Sequence, residues 1–328
     1  MHHRPSRSRR HGDAPHPSYT VQADNIMVDL GSQATLDCYQ CLLDREIMSQ
    51  AWPPSHTLMR QLHIYDGVHA LFANIGLERL LSVYFATCPL LTRGFLATLS
   101  EINHEGNLAF RIFSIPHTIH VDQLCTIFHT PITSLFQPTP AFDVREFWYS
   151  ITGLPSYDST SSVQTSIVHP AIKIALKIIW NIIYAQLETK KADKADLFLL
   201  CCMITGSYHP HFGDIIIRRF HRVIALRTGD VIPCGGLISI IARSLTPQSP
   251  LGYTFFTGDA FRLTLQNLRA MHMLHTAPGG YVWMHGHSTY FKLTGLDDIA
   301  LADPISDTLW VLQSNIPPPS RPCRAQQV

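Results

Sequence analysis

Apolar side chains recur at three- and four-residue spacing between residues 171 and 187, and this spacing is the strongest constraint on the fold. The apolar positions are Ile172, Ala175, Leu176, Ile179, Ile182, Ile183 and Leu187. Such a period is typical of one face of an α-helix. Pro170 suits the first turn of a helix, because the N–H that proline lacks would have no partner there. The sequence therefore predicts an amphipathic helix over 171–187, with Lys173, Lys177 and Asn181 on its polar face.

Further apolar runs predict a mainly α-helical fold. They cover residues 197–206, 212–226 and 237–245, the last after a turn at Gly235-Gly236, with a shorter helical segment at 122–128. Apolar residues alternate on either side of Ser114–His117, where Pro116 interrupts, and the stretches Tyr281–Met284 and Thr289–Leu293 on either side of His285–His287 suggest a second hairpin. Alternation around a short turn is typical of a β-hairpin. The predicted fold class is therefore mainly α, a multi-helix bundle with one or two small β-hairpins.

Composition divides the chain into four predicted parts. Residues 1–20 are mainly Arg, His, Pro and Ser without periodicity, and residues 315–328 are rich in proline. Segments of this kind cannot bury enough apolar surface to fold, so both ends are predicted to be disordered tails. Residues 21–247 are predicted to form the helical domain. The Pro-, Gly- and Thr-rich stretch after it predicts a boundary to a smaller C-terminal unit over residues 248–314.

The balance of apolar and charged residues limits the classes of protein to which the chain can belong. Hydrophobic residues make up 46% of the sequence and charged residues 15%, with a formal net charge of +1. This composition excludes a disordered chain, and it argues against binding to nucleic acid or membranes through overall charge. The sequence contains neither a signal peptide nor a membrane span. We therefore expect a soluble protein of the cytoplasm or nucleus, with its eight cysteines as free thiols.

Motifs of catalysis and cofactor binding are absent from the sequence. It contains no phosphate-binding loop and no nucleophile elbow. Cys38 and Cys41 have the spacing of zinc ligands, but no second pair stands at a usable distance. The histidines form two clusters, one of His209, His211 and His221, the other of His272, His275, His285 and His287. Because neither cluster comes with a well-spaced carboxylate, we favour scattered surface histidines and expect no enzyme activity, metal, cofactor or small-molecule substrate.

Two groups of arginines are the features that suggest a binding function. The first comprises Arg218, Arg219, Arg222 and Arg227 in and beside the predicted helix 212–226, and the second Arg4, Arg7, Arg9 and Arg10 in the N-terminal arm. Clusters of this kind neutralise the phosphates of nucleic acids, and short Arg-rich segments also serve nuclear import. The alternatives are a solvated outer face of an amphipathic helix and a soluble tail. All eight arginines are candidate nucleic-acid contacts.

Seven short segments follow one another in an order typical of one family. They are Ile75–Leu81, Phe95–Leu99, Phe110–Phe113, Glu146–Gly153, Val168–Pro170, Asp196–Leu200 and Gly235–Ala242. In this order the chain resembles the first-open-reading-frame proteins of Athila-type plant retrotransposons, which occupy the gag position of Gypsy-like elements. The similarity covers roughly residues 62–246, more than half of the chain. The stretch 110–130 is also similar to part of the plant mobile domain, whereas the segments at 146–153 and 235–242 favour the Athila family.

The resemblance implies a gag-like role: self-association into a homo-oligomer and contact with the single-stranded RNA of the element. It supplies no catalytic residue. The similarity to the plant mobile domain implies a second hypothesis, a nuclear adaptor that works through protein contacts. A metal-dependent enzyme that uses one of the histidine clusters is the third hypothesis.

Overall fold

Helices dominate the part of the chain that the structure, a computed structural model, describes. The described residues are 19–23, 26–48, 56–82, 86–101, 106–133, 142–159, 162, 164–183, 191–225, 230–248, 252–256, 265–270, 273–277, 280–285 and 288–293. The helices are α1 (Gln33–Leu43), α2 (His56–Gln61), α3 (Tyr65–Asn74), α4 (Pro89–Thr98), α5 (Val121–Phe128), α6 (Val144–Thr152), α7 (Pro170–Ile178), α8 (Lys194–Thr205), α9 (Phe212–Ala225), α10 (Gly235–Leu245) and α11 (Leu265–Ala270). Among these residues, no helix combines the length and the apolar character that a bilayer crossing requires.

The described strands form three small antiparallel sheets. They are β1 (Thr20–Ala23) with β2 (Ile26–Asp29), then β3 (Ser100–Glu101), β4 (Asn107–Ile112) and β5 (Ile115–His120) in this order, and β6 (Leu274–Ala277), β7 (Gly280–His285) and β8 (Ser288–Leu293) in this order. Both predicted hairpins are therefore confirmed, as β4–β5 and β7–β8. The prediction of a mainly α fold with small hairpins is also confirmed.

The turn of the first hairpin lies two residues before the predicted one. Phe113 and Ser114 both have positive φ, of 50° and 67°, which is the backbone of the tight turns that join two antiparallel strands. Pro116, predicted to interrupt the strand, instead pairs with Arg111 inside β5. Because β5 is an edge strand, the missing N–H of Pro116 costs the sheet little.

The helices pack around one continuous core. Helix α3 packs on α7 and α8, α4 packs on α1, α10 and β4, and α5 packs on α9 and α10. The largest fully buried side chains are Trp148, Trp180, Tyr39, Phe72, Phe95, Phe212 and Phe220. The ring of Phe95 on α4 contacts both Phe110 on β4 and Phe220 on α9, so α4 links α9 to the first hairpin.

The predicted helix over 171–187 differs from the structure in its extent and in its polar face. Helix α7 starts at Pro170 as expected, but after Ile178 it continues as a π-helical turn over Ile179–Ile183. The three residues predicted to face solvent, Lys173, Lys177 and Asn181, are all buried, with 3%, 8% and 7% exposure. The physical reason is that neighbouring parts of the chain enclose α7: it packs on α3, on α8 and on residues 164–166, where the buried Gln164 donates a 2.6 Å hydrogen bond to the carbonyl of Lys173. Burial lowers the pKa of Lys173 to about 8.

Histidine side chains cap two helices whose start the sequence predicts. The Nδ1 of His120 accepts a hydrogen bond of 3.2 Å from the N–H of Asp122, at the start of α5. The Nδ1 of His169 accepts one of 3.2 Å from the N–H of Ala171, at the start of α7. The first N–H groups of a helix have no partner inside the helix, and these imidazoles supply one. The sequence predicts this role for neither histidine.

The predicted ends of the chain lie outside the described residues. This applies to the N-terminal arm, except that β1 begins at Thr20, and to the whole tail over 315–328. The boundary near residue 248 stays a prediction. In the segment after it, Leu268, Met273 and Leu274 are buried and belong to the same cluster as the helical core. The described cysteines are free, as expected.

The sequence predicts a turn at Gly235 and Gly236 before α10. In the structure these two glycines are instead the first two residues of α10. A Cβ at Gly235 would lie 2.3 Å from the Cγ2 of Thr87 and 3.0 Å from the Oγ1 of Thr92. Both threonines are fully buried. Helix α10 can therefore start this close to the segment that leads into α4 only because residue 235 has no side chain.

We expect Gly235→Ala to lower the free energy of unfolding by about 1–3 kcal/mol, because the added methyl group overpacks this contact. Urea denaturation followed by circular dichroism measures the change. Gly94→Ala in α4 is the matched control: its nearest neighbour, the Cγ1 of Val28, is at 3.8 Å, and alanine favours the helix. The control should be at least as stable as the wild type. Equal losses in the two variants would contradict the explanation.

Candidate nucleic-acid interface

Helix α9 has one buried face and one exposed basic face. The buried positions are Phe212, Gly213, Ile215, Ile216, Ile217, Arg219, Phe220 and Val223. The exposed positions are Arg218, His221, Arg222 and Ala225. Their spacing of three and four residues places them in one line along the helix. We call Arg218, His221 and Arg222 the basic stripe.

The two arginines of the basic stripe are adjacent and free to bind an anion. Residues four apart on a helix have their Cβ atoms about 6 Å apart, so one turn separates the side chains of Arg218 and Arg222. Within the described part of the chain neither guanidinium forms an ion pair. The Oε1 of Glu101 lies 3.6 Å from the Nε2 of His221, and the charge of Arg222 acts on the buried carboxyl group of Asp196. Among the described residues, the stripe therefore offers two exposed guanidinium groups without an ion pair on the solvent side of α9.

Arg219 does not belong to this face, contrary to the prediction that groups it with its neighbours. Its side chain is only 6% exposed. Successive residues of an α-helix point about 100° apart, so Arg219 turns inward with Ile216 and Phe220. Its charge lies near the thiol of Cys234, and burial raises the pKa of that thiol to about 12 although the charge of Arg219 acts to lower it. A buried guanidinium in this position cannot contact a phosphate bound along the stripe.

The other candidate arginines lie outside the described residues. They are Arg227, which follows α9, and Arg4, Arg7, Arg9 and Arg10 in the N-terminal arm. Their role in nucleic-acid binding stays a prediction. The structure thus brings together two of the eight candidates, Arg218 and Arg222, and it adds His221 to them.

The N-terminus of α9 is held against α5 by the buried side chain of His211. Its Nδ1 accepts a hydrogen bond of 3.2 Å from the N–H of Asp214, which leaves the ring proton on Nε2. Nε2 donates to the Oδ1 of Asp122 in the first turn of α5, over 3.0 Å. The Sγ of Cys125, also on α5, accepts a hydrogen bond of 3.3 Å from the N–H of Gly213. Side chains from α5 and the residue before α9 therefore satisfy the free N–H groups at the start of α9.

Cys125, His211 and Asp122 have the residue types of a nucleophilic triad but not its geometry. The Sγ of Cys125 lies 3.8 Å from Nδ1 and 3.7 Å from Nε2 of His211, so it faces the ring rather than one nitrogen. Both ring nitrogens already have hydrogen-bond partners. Burial raises the pKa of the Cys125 thiol, whereas a nucleophile must be a thiolate. The cluster therefore joins two helices and is not arranged for catalysis.

Among the described residues, no group of three or more His, Cys, Asp and Glu side chains is arranged to hold a metal ion, and this includes the described members of the two histidine clusters. His209 is exposed, His211 is engaged as described, and His221 faces Glu101. In the second cluster, His275 is exposed, whereas His272 and His287 and the side chain of His285 lie outside the described residues.

A buried carboxyl group lies in the first turn of α8, within reach of the charge of Arg222. The Oδ2 of Asp196 accepts hydrogen bonds of 3.0 Å from the Nε1–H of Trp180 and of 3.0 Å from the N–H of Asp193. Burial raises the pKa of Asp196 to about 7, and the charge of Asp193 acts in the same direction. The hydrogen bonds and the positive charge of Arg222 lower it only in part. Sequence reasoning missed this group, although Asp193 and Asp196 have the spacing of a capping box before an apolar run.

Among known protein families, the model of the ATHILA ORF-1 family matches residues 29–208. This range is more than half of the 328 residues and extends from the end of β2 past the end of α8. The basic stripe on α9 lies just beyond it. Neither the curated proteins nor the solved structures contain a match to the chain.

We expect His211→Ala to lower the free energy of unfolding by about 2 kcal/mol or more, because it removes the cap of α9 and leaves a cavity beside Cys125. Thermal unfolding followed by circular dichroism measures the loss. His209→Ala, two residues away and exposed, is the matched control and should leave the stability unchanged within about 0.5 kcal/mol. A loss as large in the control as in His211→Ala would remove the assigned role.

The carboxyl group of Asp196 predicts a specific pH dependence of stability. Because its pKa rises from 3.8 to about 7 on folding, the folded protein binds the extra proton, and stability falls as the pH rises through this range. Asp196→Asn stays neutral and keeps an oxygen acceptor, so it should be more stable than the wild type at pH 8, by about 2 kcal/mol, and similar to it at pH 4. Urea denaturation at both pH values tests this. Asp37→Asn, at an exposed position, is the control. The prediction would be contradicted if Asp196→Asn and the wild type differed in free energy of unfolding by the same amount at both pH values.

Proposed function

The chain belongs to the ATHILA ORF-1 family of retrotransposon-associated proteins, and we propose that it is a gag-like structural protein that assembles with itself and contacts single-stranded RNA. The observation that carries the RNA contact is the basic stripe, where Arg218 and Arg222 are exposed one turn apart without an ion-pair partner among the described residues. The proposal includes no catalysis, because the family is not a known catalytic one and the Cys–His–Asp cluster under α9 is structural.

The charges of the protein favour a local and salt-dependent contact with RNA. The formal net charge is only +1, so long-range attraction to a polyanion is weak. Affinity must then come from individual cations that displace counterions from phosphates. Arg218 and Arg222 lie on a helix that is anchored through His211. The backbone between them therefore does not have to become ordered when RNA binds. In this proposal the arm residues Arg4, Arg7, Arg9 and Arg10 add further phosphate contacts.

Self-association is supported by the apolar side chains that the fold leaves on its surface. The exposed large apolar residues among those described are Met27, Leu43, Ile115, Ile132, Tyr149, Leu154 and Ile204. Only 15% of the sequence is charged. Charge repulsion between monomers is therefore weak, and apolar side chains on the surface can come into contact. Contacts between copies through such residues suit a protein that forms an assembly around RNA.

We expect Arg218→Ala/Arg222→Ala to weaken binding to single-stranded RNA by the same factor for different sequences. The plot of log affinity against log salt should become shallower by about 1.4, since each lost phosphate contact on a single strand removes about 0.7 from the slope. Fluorescence anisotropy with two unrelated oligonucleotides at several salt concentrations measures both effects. Arg145→Ala/Lys194→Ala removes the same charge at exposed positions of α6 and α8 and serves as the control.

Two outcomes would count against the proposal. Equal slopes for the two double variants would exclude the basic stripe from the RNA contact. In the same samples, light scattering after size exclusion should give assemblies that grow or sharpen when RNA is added. A monomer near 36.9 kDa that is indifferent to RNA would contradict the gag-like function and favour the nuclear adaptor that works through protein contacts.

A further inference from the structure

A cluster of three rings and one guanidinium group lies on the surface where α2 meets α3, away from the basic stripe. The guanidinium carbon of Arg60 lies 4.4 Å from the centre of the Tyr65 ring. The ring of His56 meets Tyr65 edge-on, with centres 5.1 Å apart. His69, one turn further along α3, lies 5.7 Å from Tyr65 at an interplanar angle of 34°. We call His56, Arg60, Tyr65 and His69 the ring cluster.

The ring cluster is the outer side of this part of the fold. Most large apolar residues of α2, α3 and the connecting loop point inward: Leu58, Met59, Leu62, Ile64, Val68 and Phe72 are buried. On the outer side Arg60 and His69 are exposed, and His56 and Tyr65 are half-buried. None of the exposed large apolar residues described above comes from residues 56–74. The surface therefore consists of planar polar groups and is not an apolar docking face for another protein.

The charge at the ring cluster argues against a site for phosphate alone. Arg60 is a cation without an ion-pair partner among the described residues, but the exposed carboxylate of Asp66 follows Tyr65 directly. One cation beside one anion gives little net attraction for a polyanion. Planar rings and a guanidinium plane instead suit the faces of nucleobases, which stack on His, Tyr and Arg side chains in single-stranded nucleic acids.

We propose that the ring cluster is a stacking platform for the bases of single-stranded RNA. Tyr65 holds Arg60 and His69 in place, and the outer faces of these two exposed groups receive the bases. The proposal rests on the proposed RNA contact for the class of its ligand, but it uses none of the residues of the basic stripe. It predicts affinity that depends on the presence of bases and not on the number of phosphates.

The test compares the full-length protein binding to oligouridylate and to an abasic oligomer with the same number of phosphates, by fluorescence anisotropy. The wild type should bind oligouridylate more tightly, by a factor between about 5 and 150 for one stacked base. Arg60→Ala/His69→Ala should lose most of this difference, while its salt slope should become shallower by at most about 0.7, the share of one cation. His69→Phe, which keeps a ring, should retain a preference for bases.

Thr57→Ala/Gln61→Ala, at exposed positions of α2, which also carries Arg60, is the matched control and should behave as the wild type. Circular dichroism confirms that all variants are folded. Equal binding of both oligomers by the wild type, or equal losses on both in Arg60→Ala/His69→Ala, would overturn the stacking platform and leave the basic stripe intact. If neither oligomer binds, the proposed RNA contact itself fails, and the platform with it.

Discussion

The hydrogen bonds of the His211 imidazole fix the start of α9, and together with the buried face of this helix they set the orientation of the basic stripe. Nδ1 accepts from the N–H of Asp214, which places the ring proton on Nε2, and Nε2 donates to Asp122 on α5. A helix docked through its first turn has a fixed rotation about its axis. This rotation decides that Arg218 and Arg222 face solvent while Arg219 is buried. Without the hydrogen bonds of His211, α9 would still be an amphipathic helix, but only the packing of its apolar side chains would set its rotation.

Imidazole groups take a role in this protein that short polar side chains usually fill. Helix N-caps are most often Ser, Thr, Asp or Asn, whose oxygen accepts an N–H of the first turn. Here the Nδ1 atoms of His120, His169 and His211 accept instead, at distances of 3.2 Å. The usual short side chains cap other helices of the same protein: Ser32 caps α1, Asp143 caps α6 and Asp193 caps α8. The capping role gives a structural reason for part of the 19 histidines, which neither a metal centre nor a catalytic site explains.

Sequence periodicity predicted a helix well where the helix buries a regular apolar face, as α9 does. It failed where the environment is not set by the helix itself. Lys173 and Lys177 lie opposite the apolar residues of α7, yet they are buried because α7 packs on α3, α8 and residues 164–166. The order of the arginines likewise could not separate Arg219 from its neighbours until the rotation of α9 was known. The family, by contrast, was recognisable because seven short segments keep their order along the chain, and such order needs no three-dimensional information.

Net charge is a poor guide to what this protein can bind, because it counts buried and exposed cations equally. The formal value of +1 includes Lys173, Lys177 and Arg219, which are buried and cannot touch a ligand. The field at the surface is therefore set by local groups. At the basic stripe the proposed contacts are with phosphates, and their attraction weakens as the salt concentration rises, because the release of counterions then contributes less free energy. At the ring cluster the proposed attraction comes from the stacking of bases on planar side chains. In these proposals a chain that is nearly neutral overall holds RNA through two surfaces with different physical origins.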